Sequence, residues 1–132
     1  MLRNQPYNGV ICDSARKFTF LCGHDSNIAS ITSALGMRLP QTVDAVEFRT
    51  PIGSKIVFQR YRNGDSEFMK VNLIYASVSQ LRETQGITSS NPPVILPIDF
   101  DGLSRNADGY YKMEDVINRF DETIAEFESF AK

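Results

Sequence analysis

The stretch "FTFLCGHDSNIASITSALG", residues 18–36, sets the architecture of the chain, because a strand-like run changes there into a helix-like run. The residues before Gly23 alternate and then become fully apolar, which predicts a strand at 17–22 that is buried on both faces. Polar N-cap residues then lead into apolar positions at helical spacing, which predicts a helix over 27–35. Gly36 supplies the left-handed residue that commonly ends a helix.

Patterns further along the chain predict the remaining elements. The runs "SKIVFQRYR" and "EFMKVNLIYA" flank "NGDS", and Asn-Gly between alternating runs predicts an antiparallel hairpin over 54–75. A short helical pattern begins at Ser77, and an extended segment rich in Pro and Ser follows it. Apolar residues from Met113 to Phe127 recur every three or four positions, which predicts an amphipathic C-terminal helix. The predicted class is therefore α/β.

Length and composition limit the kind of protein. The 132 residues suffice for one small domain, so we expect residues 1–132 to form a single domain or a fragment. A composition of 42% hydrophobic and 23% charged residues is typical of soluble globular proteins. Lys and Arg are scattered and the net charge is −2, which argues against nucleic-acid binding. No apolar run approaches the ~18 residues of a membrane span, and the start lacks the apolar core of a signal peptide.

Residues 1–16 give an ambiguous pattern. Tyr7, Val10 and Ile11 are compatible with one face of a short helix, and no stronger prediction is available for this segment.

Cysteine and histidine are too few for a metal site. Cys12 and Cys22 are ten positions apart and form neither a disulfide framework nor a C-x-x-C clip, and we expect Cys22 to be a small buried hydrophobe. His24 is the only histidine, so zinc would need carboxylate ligands that the spacing does not supply. The segment 104–115 partly matches a calcium loop but lacks its first Asp and its last Glu, and is better explained as a turn. We expect no metal and no cofactor.

The pair His24-Asp25 stands where the predicted strand meets the predicted helix. Adjacent residues cannot act as base and orienter of a catalytic triad, because those side chains must face each other. At the mouth of a helix beyond a strand, however, a phosphate is favoured by the macrodipole and by free N–H groups. His24 could there donate to a phosphate oxygen while Asp25 protonates a leaving group. A structural alternative stays open, in which Asp25 or Ser26 caps the helix and His24 is an ordinary satisfied histidine.

Two sequence blocks resemble a known family. "GHDSNI" at 23–28 and "RTPIG" at 49–53, with a strand after the second, resemble the C-terminal part of the histidine acid phosphatases, most closely the bacterial glucose-1-phosphatase group. The segment "ADGYYKMEDV" at 107–116 is also similar to the last loop and helix of that group. The resemblance implies roles for four residues of the chain: His24 contacts the phosphoryl group, Asp25 is the proton donor, and Ser26 and Asn27 line the substrate pocket.

The same resemblance exposes a gap. The family attacks phosphorus with a histidine in an Arg-His-Gly-x-Arg-x-Pro motif near the amino terminus, and this sequence has neither that motif nor a second histidine. We therefore expect a fragment of a longer enzyme, or a truncated reading frame, that is inactive alone. We also expect it to associate with itself or with the missing amino-terminal part.

The family resemblance also suggests what the complete protein does. It implies hydrolysis of sugar phosphates or related phosphate monoesters, and a periplasmic or extracellular location. Two alternatives remain: a phytase-like inositol polyphosphate phosphatase, and a non-catalytic module that binds phosphorylated ligands.

Overall fold

The computed structural model describes residues 17–84 and 86–130. The helices in these ranges are α1 (Asp25–Ala34), α2 (Val78–Arg82) and α3 (Met113–Phe130). The strands are β1 (Met37–Arg38), β2 (Lys55–Asn63), β3 (Ser66–Tyr75), β4 (Val94–Pro97), β5 (Asp99–Phe100) and β6 (Tyr111–Lys112). The helical pattern noted at Tyr7, Val10 and Ile11 lies outside the described residues, as does Cys12.

Strand β3 is the centre of the main sheet. It pairs antiparallel with β2 along one edge and with β4 and β6 along the other, while β1 and β5 form a separate antiparallel pair. The β2–β3 turn contains Gly64 at a φ of +58°, a conformation that costs glycine little. The hairpin predicted over 54–75 and the mixed α/β class are both confirmed.

The core lies between one face of β3 and the first half of α3. Alternate residues of β3 point to this face and are at most 2% exposed: Met69, Val71, Leu73 and Tyr75. Val116 of α3 is fully buried against the same cluster, and the ring of Phe120 packs edge-on against Phe58 of β2. The predicted amphipathic helix is confirmed. Its apolar stripe extends beyond the core toward the C-terminus, since Phe127 remains largely exposed.

The predicted buried strand at 17–22 is wrong for the chain as described. Residues 17–24 form neither helix nor strand, and Phe18, Phe20 and Leu21 are 77%, 66% and 77% exposed. A strand requires a neighbour that receives its backbone hydrogen bonds, and the described ranges place none beside this segment. Cys22 is likewise an exposed free thiol and not a buried hydrophobe.

The loop between β1 and β2 is fastened to the end of the hairpin. The buried Tyr75 hydroxyl donates to the Val43 carbonyl (2.8 Å) and accepts from the Val43 N–H (2.9 Å). The next residue, Asp44, accepts the Val78 N–H at the start of α2. Ser77 caps α2 through its hydroxyl, which confirms the short helix predicted there. None of the helices in the two described ranges is long and apolar enough to cross a membrane.

One cross-strand ion cluster makes the stability of the hairpin depend on pH. Arg60 and Arg62 place their guanidinium groups 2.6 and 2.7 Å from Glu67, and the hydrogen bonds from Arg60 and then from Arg62 hold the pKa of Glu67 below its ordinary value. The stabilisation is therefore present above the unfolded-state pKa and is lost as the pH falls through the lower folded-state value.

We expect Glu67→Gln to lower the unfolding midpoint at pH 7, with a gap to the wild type that closes as the pH falls toward 3. Thermal unfolding at several pH values measures this gap, and Glu126→Gln, at an exposed carboxylate of α3, is the control. A gap that stays constant down to pH 3 would contradict the conclusion that the ionised Glu67 carboxylate stabilises the hairpin.

Candidate active site at the start of α1

Helix α1 begins two residues earlier than the sequence predicted. His24 is the N-cap residue, with extended backbone angles, and its carbonyl accepts the N–H of Asn27 at 3.0 Å. The Asn27 side chain in turn accepts the N–H of His24 at 2.8 Å. This reciprocal pair satisfies backbone donors at the helix start, so α1 runs from Asp25 and not from Asn27.

Gly23 is required by that same arrangement. A Cβ atom at Gly23 would lie 2.9 Å from the Asn27 Oδ1 and 3.2 Å from the Asn27 Cβ. The close approach of these two residues therefore depends on glycine. Gly23 and Asn27 of the "GHDSN" block thus have a structural explanation, and the Oδ1 of Asn27 is occupied by its hydrogen bond with the N-cap residue. The assignment of Asn27 to the substrate pocket stays a prediction.

The remaining residues of the block are exposed at the end of the helix. His24, Asp25 and Ser26 all face solvent. Neither Asp25 nor Ser26 is the N-cap residue, because His24 holds that position. Asp25 Oδ1 nevertheless accepts the Ser26 N–H at 2.8 Å and so satisfies one donor at the start of the helix. The same contact turns a carboxylate oxygen toward the positive end of the macrodipole. The geometry of Asp25 is compatible both with a structural contact at the helix start and with a proton donor.

The second block of the resemblance lies in the loop before β2. The Thr42 hydroxyl donates to the Phe48 carbonyl at 2.8 Å, and the Ser54 N–H donates to the carbonyl of the buried Pro51 at 2.8 Å. These contacts shape the loop from within, while Arg49 is exposed. An exposed guanidinium is suited to binding an anion but cannot be a covalent nucleophile.

The segment that partly matches a calcium loop forms a turn. Asn106 Oδ1 accepts the N–H groups of Asp108 and Tyr110 at 3.1 and 2.9 Å, as an Asx turn does. Across residues 17–84 and 86–130, no group of three or more His, Cys, Asp or Glu side chains is placed to hold a metal ion.

Sequence analysis missed two open clefts of about 440 and 510 Å³. The first lies on the sheet face opposite the core, beside Lys70 and Asn72, and the second lies under the 102–106 loop. Neither cleft is lined by His24 or Asp25. The alternation of polar residues along β3 was the available signal for the first cleft, but it indicates only a solvent-facing side.

Comparison with known proteins supports the resemblance. The chain is 39% identical over 110 residues to the glucose-1-phosphatase of Salmonella typhimurium, a match that covers 80% of this chain and 26% of the relative. It is 39% identical over 101 residues to the glucose-1-phosphatase of Providencia rettgeri, covering 75% and 24%. It is 31% identical over 93 residues to phytase AppA of Escherichia coli, covering 68% and 21%. No family model matches the chain.

Solved structures give the same result for the fold. Hafnia alvei phytase in complex with myo-inositol hexakis sulphate matches with a TM-score of 0.73 at 27% identity, covering 92% of this chain and 29% of that chain. Its apo form matches with a TM-score of 0.68 at 28% identity, covering 76% and 25%. Sequence and fold together place the chain among the phosphatases.

The chain belongs to the histidine acid phosphatase family. It spans about a quarter of the length of the curated relatives it matches.

Proposed function

We propose that this chain supplies the acid-catalyst half of a phosphomonoesterase site. The other half of that site comes from sequence equivalent to the rest of a histidine acid phosphatase. The observation that carries the proposal is the exposed His24-Asp25 pair at the first turn of α1. Its backbone is held by the hydrogen bond from the His24 N–H to the Asn27 side chain, in a chain 39% identical to two glucose-1-phosphatases.

Each residue of the pair has one task in this proposal. His24 donates a hydrogen bond to a phosphoryl oxygen, and the macrodipole of α1 adds a positive potential at the same place. The Ser26 and Asn27 N–H groups are already engaged by Asp25 and by the His24 carbonyl, so the contribution of the helix is mainly this potential. A phosphate dianion beside Asp25 favours its protonated form through like-charge repulsion, and that form delivers a proton to the departing alcohol oxygen. The nucleophile comes from outside this chain.

The names of the relatives support a substrate class. Two curated relatives are named glucose-1-phosphatases, which supports a sugar phosphate or a related monoester as the substrate of the completed enzyme. The match to phytase AppA, and the phytase structure that holds myo-inositol hexakis sulphate, support an inositol polyphosphate as the second candidate. The family also supports a periplasmic or extracellular location.

A hybrid enzyme tests the proposal. The chain replaces the matching quarter of the Salmonella typhimurium glucose-1-phosphatase, and we expect the hybrid to hydrolyse glucose 1-phosphate. The control is the same relative with that quarter deleted, which we expect to be inactive. A folded hybrid without phosphatase activity would contradict the proposal and would favour the non-catalytic phosphate-binding module.

A further inference from the structure

Helix α1 is fastened to the rest of the chain at its C-terminal end. Arg119 of α3 donates from Nη1 to the Leu35 carbonyl at 2.9 Å and from Nη2 to the Asp101 carbonyl at 2.6 Å. One turn further along α3, the Thr123 hydroxyl donates to the Ala34 carbonyl at 3.1 Å. We call these five residues the α1 anchor.

The anchor supplies what α1 lacks in its own sequence. The last carbonyls of a helix have no partner inside the helix, and α1 has no basic residue in its last turn. Arg119 and Thr123 satisfy two of those carbonyls from another element, and the guanidinium places a positive charge at the negative end of the macrodipole. The Arg119 side chain is only 21% exposed and its bond to the Leu35 carbonyl is partly buried, so water competes less for that bond than for the exposed bond to the Asp101 carbonyl.

Gly36 makes the close approach of Arg119 possible. It has a φ of +60°, as predicted for the residue that ends α1, and a Cβ there would lie 2.7 Å from the Arg119 Nη1. The Gly36 carbonyl also accepts the Asp101 N–H at 2.7 Å. The turn after α1, the β5 end and α3 are therefore joined by one set of hydrogen bonds centred on the guanidinium.

The opposite end of α1 carries the His-Asp pair and is exposed. A helix of ten residues is about 15 Å long, so a swing of about 10° at the anchor moves the far end by roughly 2.6 Å. A misplacement of about 1 Å is enough to cost roughly 10²-fold in rate at a catalytic group. The direction of α1 thus determines where His24 and Asp25 lie.

We propose that Arg119 is a positioning residue, which acts through the α1 anchor to fix the direction in which α1 presents His24 and Asp25. The inference rests on the proposed function for its catalytic meaning. Its structural content concerns this chain alone and can be tested without any phosphatase activity.

Residual dipolar couplings measure the direction of α1 relative to the β2–β3 hairpin in the full chain. In the wild type, the amide couplings of residues 25–34 and of residues 55–75 should fit one alignment tensor. In Arg119→Met, which keeps the aliphatic stem but removes the charge and both donors, the α1 couplings should no longer fit the alignment tensor of the hairpin, because a change of about 10° in the direction of α1 shifts its couplings while those of the hairpin persist. Arg119→Lys keeps the charge without the fork and serves as the second variant if Arg119→Met does not fold; we expect a smaller departure from the hairpin tensor.

Glu122→Gln is the matched control. It removes the exposed ion partner of Arg119, whose carboxylate oxygen lies 3.6 Å from Nε, and leaves the anchor intact, so its α1 couplings should equal those of the wild type. Unchanged α1 couplings in both Arg119 variants would overturn the proposal, and so would an equal loss in α1 and the hairpin, since Arg119 would then support the whole fold. An inactive hybrid enzyme with the expected coupling changes would instead count against the proposed function alone.

Discussion

In the hybrid enzyme, Asp25→Asn is expected to hydrolyse glucose 1-phosphate about 10²–10⁴-fold more slowly, the usual worth of general acid–base catalysis. The loss on p-nitrophenyl phosphate should be far smaller, because p-nitrophenolate departs readily without a proton. Asn at position 25 keeps a side-chain oxygen that can accept the Ser26 N–H, so the contact at the start of α1 is preserved. The variant therefore removes the proton and leaves the contact with the Ser26 N–H.

His24→Ala tests the phosphate-binding role of His24 separately from the proton-donor role of Asp25. If His24 stabilises the phosphoryl group, both substrates should lose activity by a similar factor, because both pass through the same charge on the phosphoryl oxygens. Asn27→Ala tests the cap itself, since it removes the acceptor of the His24 N–H. Wild-type rates on both substrates in Asp25→Asn, or an equal loss on both, would contradict the role of Asp25 as the acid.

The local sequence around α1 predicted the approximate start and the end of the helix, but not the contacts with α3 that hold it in place. Polar residues before an apolar helical pattern placed a helix start near Asp25, but the N-cap was assigned too late, because histidine is not a favoured N-cap residue and the Asn27 contact is not visible in a spacing pattern. Gly36 was predicted to end α1, and its positive φ confirms this. Arg119 could not be predicted as part of the anchor, since it bonds a carbonyl 84 positions away.

The larger elements show the same limit. The hairpin and α3 were predicted because their patterns are local and their partners are close in sequence. The run at 17–22 has an equally clear apolar pattern, yet it is not a strand in the described chain. Pairing is a property of two segments, and a single sequence pattern reports only one of them.

The purified chain alone is expected to show no turnover of p-nitrophenyl phosphate or glucose 1-phosphate, and to gain activity when the amino-terminal three-quarters of the Salmonella typhimurium glucose-1-phosphatase is added. The sequence has no second histidine to act as nucleophile, so the chain alone should have no phosphatase activity at all, and not merely a reduced activity. Turnover that co-purifies with the chain and disappears in Asp25→Ala would contradict this expectation.

We expect the added piece to bind at residues 17–24. Residues 17–24 present Phe18, Phe20 and Leu21 to solvent beside the His-Asp pair, and exposed apolar segments without strand partners readily pair with another chain. We therefore expect Phe20→Asp to abolish the gain in activity, while Ile87→Asp, at an exposed apolar residue of the loop before β4, leaves it unchanged.

Without the added piece, light scattering should show self-association that Phe20→Asp weakens, because two copies can cover the same apolar surface. A monomeric chain whose activation survives Phe20→Asp would mean that the partner is held elsewhere and that the 17–24 segment is not part of the completed site.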